Sequence, residues 1–398
     1  MSNSDTPDSK NSRARSAWVI ATLSAGNFAI GMGAFIVIGI ITPLSSSLGM
    51  SNLQAGLVLT VYSLAYAVGS PLLVAITSEL TRLRVLSIGL GLFLLGALIS
   101  ASAETSAVLY GARVIAALGA GLFTPVTSVV AMALVEPAKR GKALARVFLG
   151  FTLAQVFGVP IGSFIAYTYG WQTAFLLVAL LSALCLIGVR FLVPAGLRVQ
   201  ANSLSVLWQT MTNWPAMNAV LFTASYIGCN YILITLMAPL LESSMGYSRD
   251  GVTLLLIFYG VGTVLGNILG GFLTDRIGPR RSLLIASISQ ILFLPMYSLL
   301  PMPDALLLAI TIGWSTFGWS FLVPQQARLL SAAPQSQSVV LALNAAAVYV
   351  GASVGSTLAG IISDVAGLDL LGLAAGLFAV FGLLHLLYSE HLLRPDSR

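Results

Sequence analysis

Residues that could do chemistry are scarce in the long apolar stretches of this sequence. Arg113 is the one charge well inside such a stretch, about two helical turns from its start. A charge at the centre of a bilayer costs at least about 2.5–3.5 kcal/mol, so one that is kept there is a candidate functional group. The alternative is an arginine whose long stem lets its head group reach the nearby membrane surface. The sequence leaves both interpretations of Arg113 open.

Acidic residues are missing from the middle of every apolar stretch, and Asp364, near the end of one, comes closest. A buried acid would supply a proton site and a counter-charge for cationic solutes. Without one, the protein should disfavour lipophilic cations, and a neutral, polar or weakly anionic solute is the better expectation. Proton coupling would then use Asp364, a loop carboxylate or a solute that itself titrates.

Enzyme and metal chemistry find little support. Cys185 and Cys229 lie in the middle of apolar runs without a C-x-x-C partner or a neighbouring histidine, which is typical of small packing residues. The two histidines, His385 and His391, both lie near the C-terminus. We therefore expect no enzymatic activity, no metal site and no cofactor.

Membrane-spanning helices must position these residues. Of the 398 residues, 57% are apolar and only 8% are charged, and the mean hydropathy is +0.94. Soluble domains, by contrast, carry roughly 25% charged residues. About twelve apolar runs reach the roughly 20 residues that a spanning helix needs. We interpret as spans the residues 17–42, 53–77, 85–103, 107–133, 143–169, 174–193, 216–240, 251–274, 282–300, 305–326, 339–365 and 370–393.

The distribution of Lys and Arg predicts the orientation. All of the 19 basic residues except Arg113 and Arg249 fall on one side of the predicted spans. The positive-inside rule then predicts a multi-pass protein of the bacterial inner membrane with both termini in the cytoplasm. The pI near 9.5 therefore reflects topology, and we expect no nucleic-acid partner.

A repeat of small residues sets the architecture. Every fourth residue from Gly150 to Gly170 is Gly or Ala, and a matching series of Gly, Ala and Ser runs from Ala347 to Gly367, 197 residues later. Residues four apart share one helix face, so each series forms a groove that lets a neighbouring backbone come close. Pro160 should bend the first of these helices. We expect both to serve as conformational pivots through Gly158, Pro160, Gly162, Gly351 and Gly355.

The duplication predicts an all-α membrane protein whose twelve transmembrane helices form two pseudo-twofold-related six-helix bundles. The connection between them is either an interfacial helix or an irregular linker. The predicted parts are a cytoplasmic tail at 1–16, a first bundle at 17–193, a cytoplasmic linker at 194–214, a second bundle at 215–393 and a tail at 394–398.

A charged turn joins predicted spans 8 and 9. Residues 271–281 read GFLTDRIGPRR, in which a Gly-Pro pair forces a tight turn and an aspartate can pair with an arginine or a helix N-terminus. This segment resembles the G-x-x-x-D-R-x-G-R-[RK] loop of the major facilitator superfamily. The resemblance implies that the charges stabilise one conformational state, with topogenic charge at a turn as the alternative. The residues concerned are Asp275, Arg276, Gly278 and Arg281.

Further motifs resemble the twelve-spanner drug:proton antiporter family, in particular its sugar-efflux and arabinose-efflux-like branch. Residues 158–162 (GVPIG) resemble the span-5 motif G-x-x-x-G-P-x-x-G-G of antiporters. Arg113 resembles the arginine of R-x-x-Q-G, although Ala116 and Ala117 replace its Gln and Gly. The resemblance covers nearly the whole chain after residue 16.

Two places depart from the family pattern. Ala34 stands where a glutamate precedes the phenylalanine of span 1 in the family. In the first-half copy of the charged turn, Ser78 and Thr81 replace the aspartate and the glycine. The first departure removes a counter-charge for cationic solutes.

The resemblance implies a central cavity between the halves, lined by spans 1, 4, 7 and 10. Aromatic walls with a few amides suit small amphipathic ligands, although each ring could instead pack or face lipid. Tyr62, Tyr66, Gln155 and Asn218 could contribute. The main candidates for solute binding are Asn27, Phe35, Arg113, Phe123, Tyr226, Asn230, Trp314, Trp319 and Gln325.

These features predict a secondary active transporter that exports a small organic solute, such as a drug, sugar or nucleoside-like compound, by alternating access. Proton antiport is the expected coupling, with Asp364 as candidate. The alternative is a facilitator or importer of a small polar solute without proton coupling. We expect a monomer in the lipid bilayer, whose other partners are the solute and protons.

Overall fold

The computed structural model describes residues 7–136, 139–197 and 204–393. Helices make up its regular structure in these ranges. A π-helical turn, Ala154–Gly158, joins α5 to α6, and 3₁₀ turns lie at Leu294–Leu299 and Leu368–Leu370. The α-helices are α1 (Pro7–Leu48), α2 (Asn52–Ile76), α3 (Arg82–Ala101), α4 (Ser106–Ala133), α5 (Arg140–Leu153), α6 (Val159–Tyr169), α7 (Trp171–Leu192), α8 (Leu204–Thr212), α9 (Trp214–Ile234), α10 (Met237–Met245), α11 (Arg249–Ile277), α12 (Pro279–Phe293), α13 (Asp304–Trp319), α14 (Leu322–Ala332), α15 (Gln337–Ala366) and α16 (Leu371–Leu392).

Twelve candidate membrane spans run through this series, and each of the twelve predicted runs falls on one of them. Three spans combine two helices: α5 with α6, α9 with α10, and α13 with α14. Outside the spans, α1 begins inside the predicted tail and α8 lies in the predicted linker. Residues 1–6, 198–203 and 394–398 of the predicted tails and linker lie outside the described residues.

The helix boundaries repeat with the offset of the small-residue series. Helix α2 begins at Asn52 and α11 at Arg249, while α3 begins at Arg82 and α12 at Pro279, so both pairs lie 197 residues apart. The predicted duplication is confirmed: α1–α7 form the first bundle and α9–α16 the second.

Paired glycines shape corresponding turns in the two halves. Gly49 and Gly246 have φ values of +60° and +65°, and Gly170 and Gly367 have φ values of +91° and +95°. This left-handed region of backbone space costs glycine little and other residues considerably more. The same two turns therefore recur on one face of both bundles.

Each small-residue groove packs against a helix of its own half. A Cβ atom at Gly158 would lie 3.0 Å from the Met32 side chain of α1, and one at Gly355 would overlap the Gly228 carbonyl oxygen of α9. Each groove thus packs within its own half, and the role of its glycines as conformational pivots stays a prediction. The other groove glycines and their neighbours are Gly150 with Ser24, Gly162 with Ile36, and Gly351 with Ala224.

The halves meet along two equivalent helix pairs. Helix α2 packs on α15, where Gly56 approaches the Ser356 backbone, and α11 packs on the π turn and α6, where Gly260 approaches Val156. Because α2 corresponds to α11 and α15 to α5–α6 under the 197-residue offset, these two contacts are related by the pseudo-twofold axis.

The two ends of the bundle differ in how the core is organised. We call the end with the start of α1 and the end of α16 the terminal face, and the end with the turns at 49–51, 170 and 246–248 the far face. The main apolar core runs through both halves. A second, smaller core near the terminal face is built only from α9, α14, α15 and their immediate neighbours. The continuous packing between the halves is therefore that of the main core.

Candidate solute site

A small cavity lies between the two halves, with walls from both. Its free space is about 20 Å³, room for water but not for an organic solute. The lining comes from α1, the π turn and α6 of the first half and from α9, α11 and α13 of the second, so a movement of one half relative to the other changes the cavity itself. The residues that matter below are Phe35, Gln155, Tyr231, Leu256, Tyr259 and Trp319.

Two predicted site residues, Phe35 and Trp319, line this cavity, as does Gln155. Tyr231 and Tyr259 were missed. The sequence contains a signal for Tyr259, because the 197-residue offset places it opposite Tyr62, a predicted contributor to the central cavity. Tyr231 carries no such signal, since α9 is apolar on most of its faces.

The polar groups of the cavity are few and uncharged. The Trp319 indole Nε1 donates a hydrogen bond to the Tyr259 hydroxyl at 3.0 Å. An accepting hydroxyl retains its own proton, so Tyr259 can still donate to a solute. The half-buried Gln155 adds an amide with both donor and acceptor atoms.

The π-helical turn positions Gln155. Within it, the Val159 N–H reaches back to the Ala154 carbonyl, five residues earlier. Pro160 follows at once and has no N–H to continue the regular ladder. The sequence predicted a bend at Pro160, and the structure has a wide turn just before it. Such turns inside α-helices are frequent at functional sites.

Three other candidates form a hydrogen-bonded layer behind the cavity. The Trp314 indole Nε1 donates to the Asn230 side-chain oxygen at 3.0 Å and to the Gln290 side-chain oxygen at 2.9 Å. The Tyr226 hydroxyl donates to the Gly318 carbonyl at 3.0 Å. All of these side chains are buried. They support the cavity wall in this conformation rather than lining it.

Gln325, Asn27 and Phe123 are also buried away from the cavity. The Gln325 amide donates to the Ala219 carbonyl at 2.7 Å, and the Asn27 amide donates to the Thr127 hydroxyl at 3.2 Å. Phe123 packs where Gly26 and Gly89 leave room for its ring.

Arg113 points into the bundle. Its two terminal nitrogens donate to the Gly33 carbonyl at 2.7 Å and the Ala34 carbonyl at 3.1 Å, and its side chain is 1% exposed. Helix α4 begins at the far face, and Arg113 lies seven residues, or about 10 Å, from that end. Helix α1 ends at the far face, and Ala34 lies 14 residues, or about 21 Å, from that end. The guanidinium thus extends towards the centre, away from the far face.

A tyrosine stack covers this arginine. The guanidinium lies 4.3 Å from the centre of the Tyr62 ring, and Tyr62 lies 6.3 Å from Tyr349. Tyr66 and Tyr349 stack at 3.8 Å. Tyr62 and Tyr66 belong to α2 of the first half and Tyr349 to α15 of the second, so the stack crosses between the halves.

Polar contacts between α2 and α15 seal the far face. The Asn52 amide donates to the Ser363 hydroxyl at 2.7 Å, and the Ser51 hydroxyl donates to the Asp364 carboxylate at 3.1 Å. Nearer the centre, the Thr60 hydroxyl lies 2.7 Å from that of Ser356. Asp364, the candidate proton site, therefore sits in this seal and not in the cavity.

A second polar contact seals the other side of the far face. Arg249 donates to the Thr168 hydroxyl at 2.8 Å, and the Tyr167 hydroxyl donates to the Glu242 carboxylate. Both bonds join α6 to the second half.

In the nearby turn, burial and a hydrogen bond to Asp304 raise the pKa of Tyr247 to about 12.

Ion pairs at the terminal face join helices within the second half. Arg328 of α14 pairs with Glu390 of α16 at 2.6 Å, and Arg280 of α12 lies 3.7 Å from the same carboxylate.

The residues of the predicted charged turn lie at the terminal face as well. Gly278 makes its turn with φ +81°. Asp275 is exposed and has no ion pair or hydrogen bond among the described residues. Arg276 lies over the Phe272 ring at 4.6 Å, and Arg281 is exposed.

Comparison with known proteins agrees with this architecture. The chain matches the family model described as Major Facilitator Superfamily over residues 23–356. It is 30% identical to the uncharacterized MFS-type transporter YtbD of Bacillus subtilis (strain 168), over 91% of this chain and 92% of that protein. It is 28% identical to the inner membrane transport protein YdhP of Escherichia coli (strain K12), over 86% and 88% of the two chains.

Solved structures share the fold at low sequence identity. A bacterial homologue of the human lysosomal transporter Spinster, in an inward-facing and occupied conformation, superimposes with a TM-score of 0.76 at 17% identity, over 94% of this chain and 97% of that one. A D-xylose-proton symporter gives a TM-score of 0.78 at 16% identity, over 96% and 98% of the two chains.

Proposed function

The chain belongs to the major facilitator superfamily, and we propose that it exports a small neutral or weakly anionic organic solute by alternating access. Members of this superfamily are multi-pass membrane transporters rather than enzymes. One observation carries the proposal: a cavity lined by both halves lies beneath a far-face seal made of contacts between those halves. If the halves rock, the far-face seal would break and the cavity would become accessible from the far face.

The proposed orientation places the terminal face in the cytoplasm. Basic residues at this face include Arg84, Lys142 and Arg281, whereas Arg249 stands among acidic residues at the far face. Under the positive-inside rule, the structure is then closed to the outside. An exporter must be closed to the outside while it takes up its solute from the cytoplasm.

The chemistry of the cavity supports an uncharged or weakly anionic solute. Its walls are aromatic and aliphatic, its polar groups include the Gln155 amide and the Tyr259 hydroxyl, and none of the described residues that line it is acidic. Once rocking has widened the cavity, such walls would suit flat, amphipathic compounds such as drugs or nucleoside-like solutes, through stacking and one or two hydrogen bonds.

Proton antiport is the proposed coupling. The span-5 resemblance to antiporters supports it, and so does the position of Asp364 in the inter-half seal. That carboxylate accepts a hydrogen bond from Ser51 across the two halves. The proposed placement in the sugar- and arabinose-efflux-like branch of drug:proton antiporters, with a role in drug resistance, rests on the same motifs.

The second candidate is a facilitator or importer of a small polar solute. Ala34 favours it, because span 1 then lacks the carboxylate of the antiporter family.

We further propose that the two functional halves are residues 17–193 and 215–393, joined by the linker 194–214 and flanked by tails at 1–16 and 394–398, in a monomer.

Solute flux in proteoliposomes tests these alternatives. Purified protein would be reconstituted and screened for the release of neutral and anionic solutes, with and without an imposed pH gradient. Movement of solute against its own gradient into the more acidic compartment, only when the pH gradient is present, supports antiport. Equilibration that ignores the pH gradient supports the facilitator, and no protein-dependent flux of any solute class contradicts both.

A further inference from the structure

The buried charge of Arg113 has no counter-ion in the part of the chain that the structure describes. Its hydrogen bonds go to the carbonyl oxygens of Gly33 and Ala34, and the Tyr62 and Phe175 rings lie beside it. No carboxylate pairs with it among the described residues. Carbonyl dipoles and ring faces stabilise a cation less than a carboxylate does, so the site has a net positive charge.

Two hydrogen-bond donors at the same place are also unused. The Arg113 Nε and the Tyr62 hydroxyl are buried and have no hydrogen-bond partner among the described residues. A buried donor without a partner loses its hydration and gains nothing in return. A group that accepts hydrogen bonds and carries negative charge would satisfy both the donors and the arginine.

The cover over this site comes from the other half. Tyr349 of α15 lies over Tyr62 and stacks on Tyr66 of α2, and it is 7% exposed. If the halves separate at the far face, Tyr349 moves with α15 while Arg113, Tyr62 and Tyr66 remain together in the first half. The unused donors would then face the space between the halves.

We propose that Arg113 and the Tyr62 hydroxyl bind the carboxylate of an organic anion when Tyr349 withdraws. A carboxylate suits the site because its two oxygens can accept from an arginine N–H and a hydroxyl together, in a setting of low dielectric constant. The tyrosine rings beside it favour a flat, apolar remainder. This inference narrows the proposed function, on whose rocking motion it rests, to the anionic end of the solute range.

The second half has no equivalent of this charge. The 197-residue offset places Ile310 opposite Arg113 and Tyr259 opposite Tyr62. Tyr259 accepts a hydrogen bond from Trp319 and lines the central cavity instead. An anion would therefore bind to one half only, with its apolar part towards the cavity.

Thiol labelling measures the sign of the charge that a solute meets there, without knowledge of the solute. In a background with Cys185→Ala and Cys229→Ala, a Tyr66→Cys variant would be reconstituted in liposomes. It would be reacted with two small methanethiosulfonates, one carrying a sulfonate and one a trimethylammonium group. Each rate is divided by that of the same reagent with a free thiol in solution.

We expect the sulfonate reagent to react about tenfold faster than the cationic one in relative terms, as one nearby charge at intermediate dielectric constant would cause. Arg113→Gln should abolish this preference, and Arg113→Lys should keep its sign. On the second-half wall of the central cavity, Tyr259→Cys should show little preference. Size-exclusion profiles of all variants establish that they remain folded.

Equal rates, a cationic preference, or a preference that survives Arg113→Gln would overturn the anion site. So would a thiol that reacts with neither reagent, because no solute could then reach Arg113. Addition of benzoate should slow the labelling more than benzamide does, and the reverse order also contradicts the proposal. The labelling experiment needs no transported solute. A failure of the liposome flux assay therefore does not affect the labelling result, and a failure of the labelling does not affect the flux result.

Discussion

The two groove helices of this transporter are copies with different tasks. Both pack their small residues against the first helix of their own half, Gly158 against Met32 and Gly355 against Gly228. The first is interrupted by the π turn at Ala154–Gly158, whereas α15 continues without a break. The duplication therefore preserves the packing of each groove on the first helix of its half, while the opposite faces of the two groove helices differ.

The opposite faces show what each copy does. The π turn brings Gln155 to the cavity, and the residue 197 positions later is Ala352. The residue that corresponds to Pro160 is Thr357, whose hydroxyl lies 3.0 Å from that of Thr60 across the halves. One copy thus contributes to the cavity, while the other contributes to the seal above it.

The largest effect should come from the charge that only one half carries. We expect Arg113→Ala to lower solute flux at least about tenfold, because it removes two hydrogen bonds from a charged donor, each typically about 1.5–3 kcal/mol. Ile310→Val, at the corresponding position, should leave the flux within about twofold, since it removes one buried methylene-sized group. Flux in proteoliposomes at matched protein density is the measurement. Equal flux in Arg113→Ala and wild type would return this arginine to a packing role.

The matched glycines should differ in stability. Gly355→Ala should destabilise the protein by about 1–3 kcal/mol, because the new Cβ would meet the Gly228 backbone, which cannot move aside. Gly158→Ala should cost less than about 1 kcal/mol, since its Cβ would lie 3.0 Å from the Met32 Cβ and needs only a small shift of the two helices. Thermal unfolding of the two purified variants in detergent gives the comparison. A larger loss in Gly158→Ala would mean that the first groove is the tighter one.

Much of the fold could be predicted from the sequence. Apolar runs of spanning length fixed the twelve helices, and the small residues repeated from Gly150 and Ala347 fixed their duplication. The spans can be predicted because a bilayer imposes a minimum apolar length on each of them. The paired turns at Gly170 and Gly367 follow from the same repeat.

The site was harder to predict because its helices are apolar on nearly all faces. Without a polar face, periodicity does not tell which side of α9 or α13 meets the cavity. Trp314 and Trp319 lie five residues apart, yet one is bonded behind the wall and the other lines it. The π turn also rotates Gln155 in a way that Pro160 alone does not signal.

The amide of the first copy should matter moderately. Gln155→Leu keeps the approximate size of the side chain and removes its hydrogen bonds, so we expect the solute concentration for half-maximal flux to rise about five- to tenfold. Gln209→Leu, the same change at an exposed position of α8, should have no such effect. If half-saturation does not move in Gln155→Leu, the amide does not contact solute.

The smallest effect should come from the seal of the second copy. Thr60→Val is nearly isosteric and removes the hydrogen bonds of Thr60 with Ser356 and Thr357. Because Ser356 and Thr357 keep their hydrogen bonds to the Ser353 carbonyl, we expect a combined loss of only about 0.5–1 kcal/mol, so the far-face-open population should rise roughly two- to fivefold. Distances between spin labels at Glu104→Cys and Ala305→Cys, both exposed at the far face, would measure that population. Thr173→Val, whose hydroxyl bonds within the first half, should leave the distribution unchanged. Were Thr60→Val to leave it unchanged as well, the polar contacts of α15 would be incidental to closure, and the apolar packing along both interfaces would have to hold the far face shut.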